Sequence, residues 1–509
     1  MKNNTHLFKS TIQITIISVL SIVLNFISQL VIAYYYGTSF ERDAYLAALV
    51  IPMYLNAVFV GSIGYVFLTR FQKIEREGNE NSLNLFLTQV FLVIGVLLLF
   101  VVLFGMFFST SIIRTSVPGF SEAQIHYTSK ILIAVIPSTL FFILSSFFVS
   151  IYQINNYFLK PALIPLVIPT ISTLFVFFFT SRFGIISLAY GYTVGSFLSF
   201  ILLSNVLRKV NYRFTLRGGD NRHLLMLFKT ATPLFLFGFI FRFTPVFERM
   251  LASNLPNGSI SYLGYGNQLL SIMATITSGG IAVSLFPLLS KYWIEDRKIE
   301  VGVLVVKATR IILLLTIPIT FIVFFWGDII VKLLLERGAF DHNSTNAVSL
   351  GLCLMMGAFI AQSLGNVVAK VFYFSANTWT ISIIATIELV LYLFLGYYLS
   401  ISYSYLGLAV ALSISSIVNI IISILYINKY VVRLSLNKIS IDLLRVTVVS
   451  FISFFSVYKF CAFFSLFSYV NTLFAFIFGL LLFYILGLLF KIEEMSQLTT
   501  YIKVKLGYR

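Results

Sequence analysis

The feature that most constrains this chain is the recurrence, along all 509 residues, of apolar stretches of about 20 residues with few or no charges. The hydrocarbon core of a bilayer is about 30 Å thick and a helix rises about 1.5 Å per residue, so each stretch can cross it. A backbone in lipid must satisfy its own hydrogen bonds, which leaves helices or closed barrels, and runs of this length select helices. Only 10% of the residues are charged and 59% are hydrophobic, whereas soluble domains carry roughly 25% charged residues. The predicted spans are 10–36, 44–69, 85–109, 131–154, 161–180, 184–206, 227–253, 261–290, 303–326, 346–369, 380–400, 404–428, 444–463 and 468–490. The expected fold is an all-α polytopic membrane protein of about fourteen transmembrane helices, with no soluble domain of useful size. The first run, from about Ile12 to Tyr36, is too long for the apolar core of a signal peptide and is read as an uncleaved first helix.

The net charge of +17 raises the question of a nucleic-acid partner, and its placement answers against one. The Lys and Arg residues sit in short loops between apolar stretches, not in one patch. With an even number of crossings both termini share a side. Placing them in the cytoplasm puts 26 of the 35 Lys and Arg residues on that side and 7 outside, with Arg242 and Arg249 inside a span. That bias satisfies the positive-inside rule and predicts a multi-pass protein of the bacterial cytoplasmic (inner) membrane with both termini cytoplasmic. Two cysteines, Cys353 and Cys461, in or beside apolar stretches give neither a disulfide framework nor a zinc site. All four histidines lie in termini or loops, there is no G-x-x-x-x-G-K-[ST] loop, and no nucleophile–base or metal-ligand cluster falls within a helix. The expectation is a transporter and not an enzyme. It has no cofactor and no resident metal, and an ion gradient, the membrane potential or the substrate gradient drives it.

The longest basic loop runs from Arg208 to Lys229 and contains Arg213, Arg217, Gly218, Gly219 and Arg222. It is read as a linker whose charge orients the chain and touches anionic lipid. The domain reading is an N-lobe over 1–207, a basic cytoplasmic linker over 208–229, a C-lobe over 230–430, and two further helices with a cytoplasmic tail over 431–509. A weak internal repeat agrees. Tyr45-Leu46 opens the second span and Tyr262-Leu263 the eighth, 217 residues later, and Ser62-Ile63-Gly64-Tyr65 resembles Gly280-Ile281-Ala282-Val283. The offset joins helices of the same direction, as in transporters built from parallel repeats with a substrate site between the lobes.

Among the ionisable residues inside spans, four are singled out: Arg242, Glu248, Arg249 and Glu388. A charge at the bilayer centre costs at least about 2.5–3.5 kcal/mol, so such residues face a partner or a wet cavity. Seven residues at about 100° each return Arg249 to within about 20° of Arg242, while Glu248 points elsewhere and Pro245 is expected to kink the helix between them. Arginine's planar fork suits phosphate, so Arg242 and Arg249 are candidate contacts to an anionic headgroup. The alternative for Arg249 is a pair with Glu248 or contact with the outer headgroups. Glu388, mid-way along the eleventh span, and Glu248 are candidate ligands for a coupling Na⁺ or H⁺, with hydroxyls such as Ser413 or Ser415 contributing. The alternative is a structural Glu–Arg pair.

With these residues in hand, the sequence resembles the MurJ/MviN family of the MOP flippase superfamily over nearly its whole length. Tyr36-Gly37-Thr38-Ser39, Asp43-Ala44-Tyr45 and Ile51-Pro52 are similar to that family's entry into its second helix. Val117-Pro118-Gly119-Phe120 resembles its A-P-G-F segment, and Pro161-Ala162 with Pro165 the start of its fifth helix. Leu255-Pro256-Asn257-Gly258-Ser259-Ile260-Ser261 with Tyr265-Gly266, then Glu336-Arg337-Gly338-Ala339-Phe340, then Phe372-Tyr373 with Asn377-Thr378, follow in the family's order and spacing. The resemblance implies fourteen helices as two pseudo-symmetric six-helix lobes plus two C-terminal helices that groove a lipid tail. It also implies alternating access for an undecaprenyl-pyrophosphate-linked saccharide, lipid II or a polysaccharide repeat unit, moved from the cytoplasmic to the outer leaflet for cell-envelope biosynthesis. Partners would be the lipid-linked glycan, membrane lipid and cell-envelope synthesis enzymes. The sequence also departs from the family. Arginines that lipid II flippases carry on the first, second and eighth helices align with Ile22, Ser28, Asn56 and Gln268, and an acidic residue of the eighth helix with Ser271. Asp43 and the Glu248-Arg249 pair are kept, and some members use that acid with an eleventh-helix carboxylate for Na⁺. The substrate-contact set is therefore Arg242, Arg249, Asp43, Asn56 and Gln268. Rival readings are an ion-coupled drug exporter of the same superfamily and a non-transporting scaffold for polysaccharide assembly.

Overall fold

The computed structural model describes residues 2–78, 80–155, 157–215, 221–375, 378–464 and 469–505. Arg217, Gly218, Gly219 and Asn377 lie outside the described residues. The first six long helices are α1 (Ile16–Tyr36), α2 (Phe40–Arg76), α3 (Glu80–Phe107), α4 (Glu122–Ile154), α5 (Leu159–Phe183) and α6 (Ile186–Lys209). They are followed by α7 (Arg222–Ala252), the bent α8 (Ser259–Ala282 with Pro287–Ile294), α9 (Lys298–Leu335) and the bent α10 (His342–Leu354 with Met356–Phe374). Helices α11 and α12 share Trp379–Val431 and part at Ser404; α13 (Leu436–Phe463) and α14 (Asn471–Leu489) complete the set. Eleven of these helices pass by length and composition, two more as bent pairs. The 53 residues of Trp379–Val431 would run about 80 Å if straight, more than twice the hydrocarbon core, so the break at Ser404 makes two spans of them. The described residues thus contain the fourteen crossings that the apolar pattern predicts.

The breaks fall where the backbone has a reason to leave the helix, and they recur between the halves of the chain. A π-helical turn interrupts α2 at Val60–Gly64 and α8 at Thr275–Gly279. Phe108 (φ −97°, ψ 18°) ends α3 before a short helix, Ser109–Ser116, and Trp326 (φ −132°, ψ 22°) kinks α9. Helix α4 is interrupted between Val135 and Ser138, α10 between Leu354 and Met356. Gly184, between α5 and α6, has φ 54° and ψ −142°; Ser404, between α11 and α12, has φ 55° and ψ −142°. Single apolar residues are interchangeable in lipid, so the sequence repeat is faint, but backbone breaks are not interchangeable and make it plain.

The chain forms two compact units, one comprising Met1–Ser261 with Arg337–Asp341, the other Tyr262–Glu336 with His342–Arg509. In the first, α2, α3, α4 and α7 close on an aromatic core that includes Phe67, Phe71, Phe86, Phe147 and Phe148. Its basic loop is fastened to α3: Asn84 Oδ1 accepts from Arg213 N at 3.0 Å, and Thr88 Oγ1 from Thr215 N at 3.2 Å. In the second unit, Trp326 is fully buried against Phe454, Tyr458 and Phe476 of α13 and α14. A final helix, α15 (Glu493–Lys505), is pinned by Arg310 of α9, whose Nη1 and Nη2 donate to Glu493 and Glu494 at 2.9 and 3.2 Å. Asp442 of α13 lies 2.5 Å from Arg310 Nε.

Candidate functional site

Proline decides the shape of α7. Pro245 lacks an N–H and its ring crowds the carbonyl four residues earlier, so it fits best in the first turn of a helix. The helix accordingly stops at Phe241 and restarts at Thr244, with Arg242 and Phe243 in the break. The break therefore lies at Arg242 itself, so the helical phase that relates the two arginines does not run unbroken between them. The break frees the carbonyl of Phe239, since the N–H of Phe243 turns to Ile240 instead, at 3.3 Å. Tyr54 of α2 donates its hydroxyl to that carbonyl and packs edge-on against Phe239 and Phe243. The exposed guanidinium of Arg242 rests on Gly61 in the π-turn of α2, where a methyl group would stand 2.7 Å from Nη2. One residue on, Ser62 Oγ donates to the carbonyl of Leu234 at 3.0 Å.

The start of α8 is held by a carboxylate from another helix. Buried Asp43 accepts at Oδ2 from Gly258 N (2.6 Å) and at Oδ1 from Ser261 N (2.7 Å) and Ser261 Oγ (2.5 Å). The first N–H groups of a helix have no partner within it and carry partial positive charge, so a carboxylate is well suited there. Arg249 Nη1 donates to Glu248 Oε1 at 2.8 Å and to the carbonyl of Ile260 at 3.4 Å, and both side chains are nearly buried. Of the readings of Arg249, the pair with Glu248 is the one that forms, although the helical projection sends the two side chains to different faces. Two loops dock beside this junction through glycines that admit no side chain. At Gly119 a Cβ would lie 2.3 Å from the carbonyl of Ser253; at Gly338 (φ +58°) one would lie 2.3 Å from that of Tyr34. Ala339 N donates to the same Tyr34 carbonyl at 2.8 Å. These close approaches give the short P-G-F and E-R-G-A-F runs a physical reason. Asn56 is buried on α2, its Oδ1 without a hydrogen-bond partner among the described residues, and Gln268 is half-buried on α8.

Glu388 opens onto a cavity of about 400 Å³ that lies wholly within the second unit. Its Oε1 accepts from Ser416 Oγ at 2.9 Å and its Oε2 from Asn419 Nδ2 at 2.7 Å, both on α12. Gln362 and Asn366 of α10 and Asn267 and Ser271 of α8 line the remaining polar wall. The expected hydroxyls are differently engaged. Ser413 is inserted into the break of α10, donating to the carbonyl of Leu354 (2.5 Å) and accepting from Ala358 N (3.2 Å). Ser415 bonds back to its own helix at Leu412. Sequence reasoning missed Ser416 and Asn419 because it searched the spans for charges. An amide three residues from a serine in an otherwise apolar helix is a weaker signal, but it was present. Among the described residues no group of three or more His, Cys, Asp or Glu could hold a metal ion.

Comparison with known proteins agrees with this architecture. A family model described as "Lipid II flippase MurJ" matches residues 32–484. The probable lipid II flippase of Borreliella burgdorferi is 25% identical over 97% of this chain and 98% of its own length. The lipid II flippase of Thermosipho africanus is 26% identical over 88% of this chain and 90% of its own. Among solved structures, "Lipid II flippase MurJ, inward closed conformation" aligns with a TM-score of 0.81 and 25% identity over 94% of this chain and 99% of that one. An inward-facing MATE-family multidrug transporter of the MOP superfamily aligns with a TM-score of 0.67 at 12% identity, covering 82% and 95%, which is a likeness of fold alone.

Proposed function

Because this chain belongs to the MurJ family of lipid II flippases, we propose that it moves an undecaprenyl-pyrophosphate-linked saccharide of the lipid II type from the cytoplasmic to the outer leaflet of the bacterial inner membrane. The family match over residues 32–484 carries this reading. The motion is alternating access between an N-lobe (1–207) and a C-lobe (230–430) joined by the 208–229 loop, with 431–509 beside the lipid tail. With both termini cytoplasmic, the Asp43 junction lies at the outer ends of its helices and acts as the outer gate. Closed, it fastens the first residues of α8 to α2, within the compact unit that extends to Ser261 and whose aromatic core α7 shares.

Arg242 is the first contact for the pyrophosphate: it is exposed, it sits in a helix break, and its fork matches phosphate oxygens. Opening the junction would release Asp43 from α8 and Arg249 from Ile260, giving the headgroup a second arginine on its way out. Asn56 and Gln268, where the family resemblance places arginines, would then meet the cargo as uncharged polar contacts. Glu388, with Ser416 and Asn419, is the proposed site for a coupling Na⁺ or H⁺, and Glu248 is a second carboxylate that becomes available only when Arg249 leaves it.

The direct test is rescue of a bacterial strain depleted of its own lipid II flippase. The wild-type chain is expected to restore growth, and Arg242→Ala to lose rescue at equal membrane abundance. No rescue by a well-expressed wild type would remove lipid II as the cargo; full rescue by Arg242→Ala would remove the headgroup assignment.

A further inference from the structure

The two halves of the chain build the same cavity twice with different linings. The first unit encloses about 560 Å³ between α2, α4, α5 and α6, the second about 400 Å³ between α8, α10, α11 and α12, the corresponding helices of the repeat. The matched backbone at Gly184 and Ser404 fixes the register for the last two helices of each set, 220 residues apart. In that register Ile168 stands where Glu388 does, Ser196 where Ser416 does, and Ser199 where Asn419 does, and all six residues line their respective cavities. The first cavity has Gln153 and five serines in its own lining, but at these three positions it forms without a carboxylate or a carboxamide. Polar groups at membrane depth cost free energy unless they are used. The polar lining of the second cavity thus points to a ligand and not to folding.

Size and charge narrow the ligand class. A cation with six water-sized ligands occupies about 200 Å³ at ~30 Å³ each, half of the room present. The lining contains no Lys or Arg and does contain Glu388, so it repels phosphate. Gln362, Asn366, Asn267 and Ser271 form a wall of carboxamides and a hydroxyl beside that carboxylate, and these groups both donate and accept. Such a wall matches an uncharged ring bearing hydroxyl or acetamido groups. We propose that the second-unit cavity is a saccharide subsite: it takes an uncharged sugar ring of the cargo. The inference rests on the reading of the cargo as a lipid-linked glycan. Its selectivity would lie in the carboxamide wall, leaving Glu388 for the coupling ion.

The test uses the purified full-length protein in nanodiscs and free N-acetylglucosamine, with saturation-transfer NMR as the readout. Gln362→Leu and Asn366→Leu each remove one carboxamide from the wall. The expected result is a sugar signal in the wild type that inorganic pyrophosphate does not displace, reduced by about fivefold or more in each variant. An unchanged signal in both folded variants, displacement by pyrophosphate, or no signal from a wild type that rescues flippase-depleted cells would overturn the subsite. A wild type that binds the sugar but fails to rescue would count against the lipid II reading and leave the subsite standing.

Discussion

At Asp43 a single carboxylate closes a helix junction by accepting three hydrogen bonds between 2.5 and 2.7 Å. Alanine there would leave two backbone N–H groups buried without a partner, at a cost of about 1–3 kcal/mol for each. Asn retains one acceptor oxygen. Asp43→Ala is therefore expected to lower the thermal unfolding midpoint in detergent and to expose a cysteine placed at Ser261 to a polar thiol reagent. Asp43→Asn should do both to a smaller degree. Equal behaviour of the two variants and wild type would mean that the junction does not hold the gate. Sequence alone singled out Asp43 through its family motif. That Gly258 and Ser261 receive it is a contact across 215 and 218 residues, which no local pattern encodes. Arg249 illustrates the same limit: the sequence offered its pair with Glu248 only as an alternative to a headgroup contact, and the structure shows the pair formed.

At the scale of elements, the breaks matter more than the helices. Gly184 and Ser404 share a backbone conformation that glycine adopts freely and a residue with a Cβ does not. Strain at such a position is about 1–3 kcal/mol. Ser404→Gly is expected to recover about 1 kcal/mol of it, partly offset by the greater freedom of glycine in the unfolded chain, and to raise the thermal midpoint measured by fluorescence. A lower midpoint would show that the serine side chain contributes more than its backbone costs. Helix positions were legible because about 20 apolar residues are needed to cross a bilayer. The π-turns of α2 and α8 and the inserted hydroxyl of Ser413 were not; Ser413 reaches a carbonyl of a neighbouring helix that no local pattern announces. Pro245 was legible as a breaker, and only the preference of proline for a first turn places the break before it.

For the whole molecule, the proposed coupling is a statement about how transport responds to ions. If Glu388 carries the ion, Glu388→Gln reconstituted in proteoliposomes should lose the dependence of flipping rate on Na⁺ and pH that the wild type shows. Undiminished sensitivity in the variant would sink the coupling site. Fourteen crossings, an all-α fold, the internal repeat and the family motifs could all be read from the sequence, because each follows from periodicity, length or short local pattern. The tertiary structure decided the rest: which carboxylate caps which helix, which glycines admit another segment's carbonyl, and which half of the repeat has a carboxylate in its cavity. The physical reason is the solvent. In lipid an apolar side chain is equally at home facing a neighbour or the bilayer, so hydrophobicity announces a crossing but does not say what it packs against. Hydrogen bonds between distant segments and close backbone approaches select the partner, and they exist only once the helices have met.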